Sequence, residues 1–243
     1  MTDYGLLFLL LLFVVAFLYA SVGHGGASGY LALMAVWGVT STVAKPIALI
    51  LNCCVSLLAF IAFYKEGYFN KKLFLSLAVA SIPCSFIGSK IPLQEHVYKS
   101  VLAVMLCIAA ARLFFVSKEQ KQISEPPLIA LLVIGSIVGL LSGMIGIGGG
   151  IILSPLLIIM AWSTVKETSG VSALFIFVNS IAGLFGLYQK GIVFTTDMKY
   201  MLVVAILGGL LGSLLGAKKF QVDGLKKILA FGLLIASLKL FFT

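Results

Sequence analysis

Eight stretches of this chain run almost without charge: 6–22, 48–64, 73–87, 97–116, 128–141, 171–188, 201–215 and 228–242. Each approaches the ~20 residues that carry an α-helix across a ~30 Å hydrocarbon core, once tilt and polar ends are allowed for. The strands of a transmembrane barrel would alternate polar and apolar side chains, and these runs do not. Composition points the same way. Of 243 residues 61% are hydrophobic and 10% charged, more apolar surface than a water-soluble domain of this length can hide. The expected fold class is therefore all-α, a polytopic membrane protein crossing the bilayer many times.

The net charge of +9 does not make a nucleic-acid surface. The lysines form no stripe; they gather where the apolar runs end, as at Lys65, Lys71 and Lys72, at Lys118 and Lys121, and at Lys218, Lys219, Lys226 and Lys227. That placement suits orientation in a membrane and anionic headgroups, and no nucleic-acid partner is expected. Cys53, Cys54, Cys84 and Cys107 all lie inside apolar runs without zinc-ligand spacing, so they read as small packing residues. The first run is preceded by Asp3 and by no Lys or Arg, so it lacks the positive flank of a signal peptide.

The chain also repeats itself. LAVMLCIAAARLFF at 102–115 and LAFGLLIASLKLFF at 229–242 share eight of fourteen positions, where apolar sequence would give roughly one or two by chance. Upstream, Gly23-His24-Gly25-Gly26 corresponds to Gly146-Ile147-Gly148-Gly149-Gly150, Trp37 to Trp162, and Tyr64-Lys65-Glu66-Gly67 to Tyr188-Gln189-Lys190-Gly191. Asn52 and Asn179 fall in the middles of equivalent runs. The expected organisation is a first transmembrane repeat at 1–116, a cytoplasmic linker at 117–127 and a second repeat at 128–243. Each repeat has four transmembrane helices plus a glycine-broken segment.

The lysines bear on how the repeats are oriented. From Leu6 to Val39 is 34 residues, ~51 Å of continuous helix and far more than one crossing needs. The glycines divide that stretch, and the chain either kinks onward or folds back. With plain crossings the two faces carry 9 and 8 Lys and Arg; with reversal at each glycine cluster they carry 11 and 6. Positive residues favour the cytoplasmic face, so reversal gives the coherent topology: two inverted repeats, the linker inside and both termini outside.

Chemistry is expected where the helices break. Irregular backbone at membrane depth survives only when buried in protein or lining a watery cavity, and paired glycine-interrupted segments in two halves point to a midplane transport site. The helix N-termini that follow carry partial positive charge and bind anions. Tight helix packing is the alternative use of such glycines. His24, inside the first cluster, can donate to an anion, carry a proton, or be capped by backbone carbonyls; its counterpart is Ile147. Asn52 and Asn179 either bond helix to helix or donate to substrate oxygen. Thr168, Ser169 and Ser172 cap a run or line the cavity. Lys45 and Lys166 attract anions to a mouth or snorkel, and Trp37 and Trp162 read as interface anchors.

The chain carries no phosphate-binding loop and no metal-spaced cluster, and all eight acids lie at run ends or in loops. A cation carrier or an intramembrane metalloenzyme would place carboxylates in the core. The polarity leans toward an anion, with no cofactor, no metal and no catalytic residue expected, and with homo-oligomers left open. An uncoupled anion channel, and a non-transport intramembrane enzyme or assembly partner, stand as the alternatives.

At these residues the sequence resembles the TauE/SafE family of sulfite exporters and organosulfonate permeases over nearly its whole length. The resemblance rests on Ser21-Val-Gly-His-Gly-Gly-Ala-Ser-Gly-Tyr30, Lys45-Pro46 leading to Asn52, Ser81-Ile82-Pro83, Gly146-Ile-Gly-Gly-Gly150, Pro155, and Val171 through Asn179-Ser180. It implies a multi-pass carrier of the cell (inner) membrane for a sulfur oxyanion or sulfonate, with ion coupling, protons among the candidates. It carries a substrate role onto Gly25, Gly26, Asn52, Gly148, Gly149, Gly150 and Asn179, with His24 where the family more usually has a small residue. Gly23, Gly146 and Ser169 complete the candidate substrate-binding set.

Overall fold

The computed structural model of the chain describes residues 5–114, 123–188, 197–218, 231 and 233–240. The linker lysines Lys118 and Lys121, together with Lys219, Lys226 and Lys227, lie outside the described residues, as does much of the last apolar run. Nine helices are defined among the described residues: α1 Gly5–Ser21, α2 Ala27–Val36, α3 Ser41–Lys65, α4 Lys71–Lys90, α5 Glu95–Phe114, α6 Leu128–Ile145, α7 Gly150–Ile159, α8 Val165–Tyr188 and α9 Asp197–Lys218. Residues 233–240 are helical as well. Five of the helices (α3, α4, α6, α8 and α9) are long and apolar enough to cross a membrane, while α2 and α7 have ten residues each. Ten residues make ~15 Å of helix, half a hydrocarbon core.

Lipid offers no hydrophobic drive between helices, so close association needs small residues where backbones meet. Two glycine stripes supply them. Gly208, Gly212 and Gly216 of α9 lie against the main-chain carbonyls of Phe13, Phe17 and Ser21 on α1, and Gly135, Gly139 and Gly143 of α6 lie against those of Leu77, Ser81 and Ser85 on α4. Added Cβ atoms would strike those oxygens. Residue numbers rise together in both pairs, so each pair is parallel. The two longest helices run the other way. Gly183 packs on Leu49, the Asn52 carboxamide bonds the Ser180 hydroxyl, and Gly170 approaches Phe63 and Tyr68, which makes α3 and α8 antiparallel at the centre of the bundle.

Each glycine break turns the chain back. After α1, Gly23 adopts φ +76° while its N–H bonds Ala20 O at 3.1 Å and that of His24 bonds Tyr19 O at 2.9 Å, a left-handed helix stop that favours glycine. The Tyr19 and Ser28 hydroxyls then meet at 2.7 Å, Gly29 packs on Val15, and the Phe8 and Trp37 rings stand edge to face at 5.4 Å. These contacts lay α2 back along α1 toward the end where α1 began. In the second half Leu153 and Leu157 of α7 share a buried cluster with Val138 and Leu131 of α6, and Ser124 N, ahead of α6, donates to Ala161 O at 2.8 Å, just past α7. Trp37 therefore packs on a partner within the bundle, and Trp162 is itself buried.

Candidate functional site

The two breaks meet halfway along α3 and α8. Asn52 is the twelfth residue of the 25 in α3, and Ile176 the twelfth of the 24 in α8. Gly25 of the first break has its α-carbon packed against the Asn52 carboxamide, and Gly148 of the second lies between that same carboxamide and Ile176. A methyl group at either glycine would occupy space the Asn52 side chain already fills. Gly150 packs on Ile176 and on the ring edge of His24. Gly26 and Gly149, at φ +97° and +79°, are the N-caps of α2 and α7. The short helices thus start near one another at mid-depth, each leading away toward the end from which its hairpin entered. Their N-terminal partial charges add in the space between.

Asn52 is the hub. Its Oδ1 accepts from Ala27 N, the first amide of α2, at 3.2 Å, and its Nδ2 donates to Ser180 Oγ on α8 at 3.0 Å. One fully buried carboxamide therefore caps the first break and ties it to the opposite half. Asn179 is not placed as its partner. Nδ2 of Asn179 bonds Ser81 Oγ at 3.1 Å and Phe175 O at 2.8 Å, and Ser85 Oγ donates to its main-chain carbonyl at 2.9 Å. It serves the contact of α8 with α4, one turn beyond the level at which Ile176 faces the second break.

His24 reaches furthest across. Its Nδ1 lies 2.9 Å from Val22 O, and its Nε2 lies 3.1 Å from Gly150 O and 3.0 Å from Ser154 Oγ, which is 2.7 Å from Ser172 Oγ. The ring is 1% exposed. Ser154 stands one helical turn after Gly150 and so shares its face of α7. Neither Ser154 nor the bond to Ser180 is evident from the sequence, where isolated serines in apolar runs look alike.

The remaining candidates sit at the margins. Gly23 lies against the main chain of Ser169, whose hydroxyl turns back to Val165 O at 3.0 Å. Ser169 therefore contributes close backbone contact rather than a free donor. Gly146 ends α6 at φ +87°, with its N–H on Ser142 O at 2.8 Å, and packs on the stem of Lys45. Lys166 Nζ donates to Gly216 O at 2.6 Å and Ala217 O at 3.1 Å, closing the C-terminal end of α9, a favourable place for a cation. The acids with described side chains, Glu66, Glu95, Glu125 and Glu167, sit at helix ends and are exposed or half-buried.

A bundle of apolar helices around two paired breaks, with no acid beside them among the described residues, defines a polytopic membrane protein. The chain belongs to the sulfite exporter TauE/SafE family, whose model matches residues 8–240. It is similar to the "Probable membrane transporter protein y4hK" of Sinorhizobium fredii, 33% identical over 233 residues and covering 94% of each chain. It is also similar to the "Probable membrane transporter protein YdhB" of Bacillus subtilis, 26% identical over 223 residues, 88% of this chain and 89% of the other. A probable membrane transporter protein of Xylella fastidiosa is 36% identical over 103 residues, 42% of this chain and 38% of the other. No solved structure matches. The protein is a membrane transporter, with a small-molecule substrate and the lipid bilayer as its surroundings.

Proposed function

We propose that the protein is a secondary carrier of the cell membrane for a small sulfur-containing anion (sulfite, thiosulfate or an organosulfonate), with alternating access between two inverted repeats and protons as the coupling ion. The observation that carries this reading is the meeting of the two breaks, with the N-termini of α2 and α7 opening toward each other beside Asn52 and His24. Among the described residues the amides of Gly25, Gly26, Gly148, Gly149 and Gly150 have no hydrogen-bond acceptor. Amides at helix N-termini are donors suited to a tetrahedral or pyramidal oxyanion. Among the described residues the breaks have no carboxylate beside them, so they lack the groups that usually hold a cation and set no negative charge against an anion.

The inverted arrangement is supported by matched packing. The parallel pair α1 and α9, one helix from each half, has its likeness in the pair α6 and α4, and the central helices α3 and α8 run opposite ways. Two such halves allow the site to open first to one side and then to the other by rocking about a fixed centre. The family description supports a sulfur oxyanion as substrate.

The test is uptake into proteoliposomes of labelled sulfite, thiosulfate and a small sulfonate. Saturable flux of one of them, with counterflow against its unlabelled form, is expected. Flux that rises linearly with concentration would make the protein a channel, and no flux of any of the three from folded protein would remove the substrate class.

A further inference from the structure

Four buried side-chain atoms lack a hydrogen-bond partner among the described residues: Tyr30 Oη, Ser142 Oγ, Thr168 Oγ1 and Asn179 Oδ1. Buried polar side chains nearly always have one, because a hydroxyl left unpaired away from water is unfavourable. Two of the four stand at matching places. Tyr30 is the fourth residue of α2, and a helical side chain leans back toward the N-terminus. Gly26, the N-cap, lies beneath its hydroxyl, so that a Cβ built there would be 2.6 Å from the oxygen. Gly149, the N-cap of α7, lies against Val138, Phe175 and Ser142, with the Ser142 β-carbon 3.4 Å from where a Cβ of its own would be. Each break thus has a fully buried, unpartnered hydroxyl beside the N-cap of its short helix. The other two atoms are elsewhere, Thr168 in the first turn of α8 and Asn179 at the contact of α8 with α4.

Packing accounts for neither hydroxyl. The Tyr30 ring belongs to the main apolar cluster, where phenylalanine would fill the same space, and alanine would nearly replace Ser142, each without an unpaired group. Other buried hydroxyls are used inside the protein. Tyr98 donates to Ile145 O at 3.2 Å, and the Tyr19 and Ser28 hydroxyls meet at 2.7 Å. The second pair has a counterpart. In the sequence register that matches Gly23 with Gly146, Tyr19 stands opposite Ser142 and Ser28 opposite Ile151. The second half keeps the hydroxyl ahead of its break and has an apolar side chain where the partner would be. Ser142, like Tyr30, is left to donate to something the chain does not supply. Both hydroxyls adjoin helix N-termini, whose partial positive charge favours an anion, and an O–H donates well to a charged oxygen.

We propose that the Tyr30 and Ser142 hydroxyls are the side-chain donors of the anion site, one from each break, and that they set its affinity for a sulfur oxyanion. This deepens the carrier reading given above and rests on it. The glycines just ahead of the two N-caps, Gly25 and Gly148, both pack on the Asn52 carboxamide, so the two donors flank the place where the breaks meet. In the empty protein each hydroxyl is unpaired; a bound anion supplies an oxygen to each. Removing either one should therefore leave the empty protein at least as stable and weaken its hold on the anion. A hydroxyl held for structure gives the opposite pattern, since its loss leaves a buried acceptor without a donor.

The test is thermal unfolding in one detergent at rising concentrations of sulfite, thiosulfate and methanesulfonate in turn, for the wild-type chain and for Tyr30→Phe, Ser142→Ala and Tyr98→Phe. One of the anions should raise the wild-type midpoint in a saturable way. Without anion, Tyr30→Phe and Ser142→Ala should unfold at the wild-type midpoint or above it. In each the apparent dissociation constant for that anion should rise about 10-fold or more, the loss expected for a hydrogen bond to a charged group. The half-saturating concentration for uptake into proteoliposomes should rise in step. Tyr98→Phe should do the reverse, with a lower empty midpoint and an unchanged dissociation constant. A dissociation constant within about twofold of wild type in Tyr30→Phe or Ser142→Ala overturns the proposal alone, as does an empty midpoint lowered as far as that of Tyr98→Phe. Wild-type protein that neither binds nor transports any of the three anions overturns the carrier reading and the proposal with it.

Discussion

Asn52 on α3 donates from Nδ2 to Ser180 Oγ on α8 at 3.0 Å while its Oδ1 holds the first amide of α2, so one side chain joins the two central helices at the depth where both breaks touch. Asn52→Ala removes both bonds and leaves the Ala27 amide buried without that acceptor, a loss of roughly 1–3 kcal/mol. It also vacates the space under Gly25 and Gly148. Flux should fall at least ~10-fold, because a loosened break no longer presents its amides in a fixed direction. Asn179→Ala loses a contact between α8 and α4 instead, worth ~0.6 kcal/mol in membrane proteins, and should keep most of its flux. Proteoliposome uptake by protein that elutes as a single folded species decides this. Equal losses in the two variants would extend the site to α4.

Glycines in left-handed turns divide into two kinds here. Gly38 and Gly67, at φ +76° and +80°, have open space where a Cβ would go, so alanine there costs conformational strain of about 1 kcal/mol and should leave transport intact. Gly148, at φ +72°, faces the Asn52 amide and Ile176, and Gly25 faces the Asn52 carboxamide. Alanine at either must displace Asn52, and both variants should lose transport while still inserting in the membrane. Comparing flux among the four variants, each corrected for the amount of inserted protein, separates strain from displacement.

The helices and breaks were open to reading because lipid leaves the backbone no choice: apolar runs must be helical, and glycine clusters mark where they stop. The reversal, weighed from the lysines, appears as the stacking of Phe8 on Trp37. Asn52 and Asn179 stand at different levels of the bundle, with different partners. Matching Tyr64 to Tyr188 already sets residue 52 opposite 176, and the structure places Ile176 against the second break, with Asn179 three residues further on. The His24 to Ser154 contact spans 130 residues, and no local pattern announces it, since a serine one turn into α7 has the same sequence surroundings as one facing lipid. The stripes at 135, 139, 143 and 208, 212, 216 are regular in sequence; what they pack against depends on the fold.

Ala161 occupies a turn built for glycine. Its φ is +57°, its N–H bonds Ile158 O at 3.1 Å, and that of Trp162 bonds Leu157 O at 2.9 Å. The same pair of bonds ends α2 around Gly38, from Gly38 N to Ala35 O at 3.1 Å and from Val39 N to Met34 O at 3.0 Å. A side chain in this conformation costs about 1 kcal/mol, set against the greater freedom glycine has when unfolded. Ala161→Gly should therefore raise stability by about 0.5 kcal/mol, with unchanged flux. Thermal unfolding in one detergent, wild type beside variant, would show a higher midpoint; a lower one would mean that the Ala161 methyl contributes packing that outweighs the strain.

The proposed inversion of the halves makes a definite statement about sides. Thr42, at the start of α3, and His96, at the start of α5, are exposed near one end of the bundle, and Glu66 and Glu125 are exposed near the other. Contacts agree with that division. Ser41 bonds the Glu95 carboxylate at the first end, and Lys72 pairs with Glu125 at 3.7 Å at the second. The reading of the sequence in which the chain reverses at each glycine cluster gives that end 11 Lys and Arg against 6, so it should face the cytoplasm. In a protein whose four cysteines are replaced, Thr42→Cys and His96→Cys should react with a membrane-impermeant thiol reagent on intact cells. Glu66→Cys and Glu125→Cys should react only after permeabilisation. Labelling of Glu66→Cys and Glu125→Cys from opposite sides would break the inversion, because the second half would then start from the same face as the first. All four results reversed would keep the inversion and turn the whole protein over, with its lysine-rich end outside.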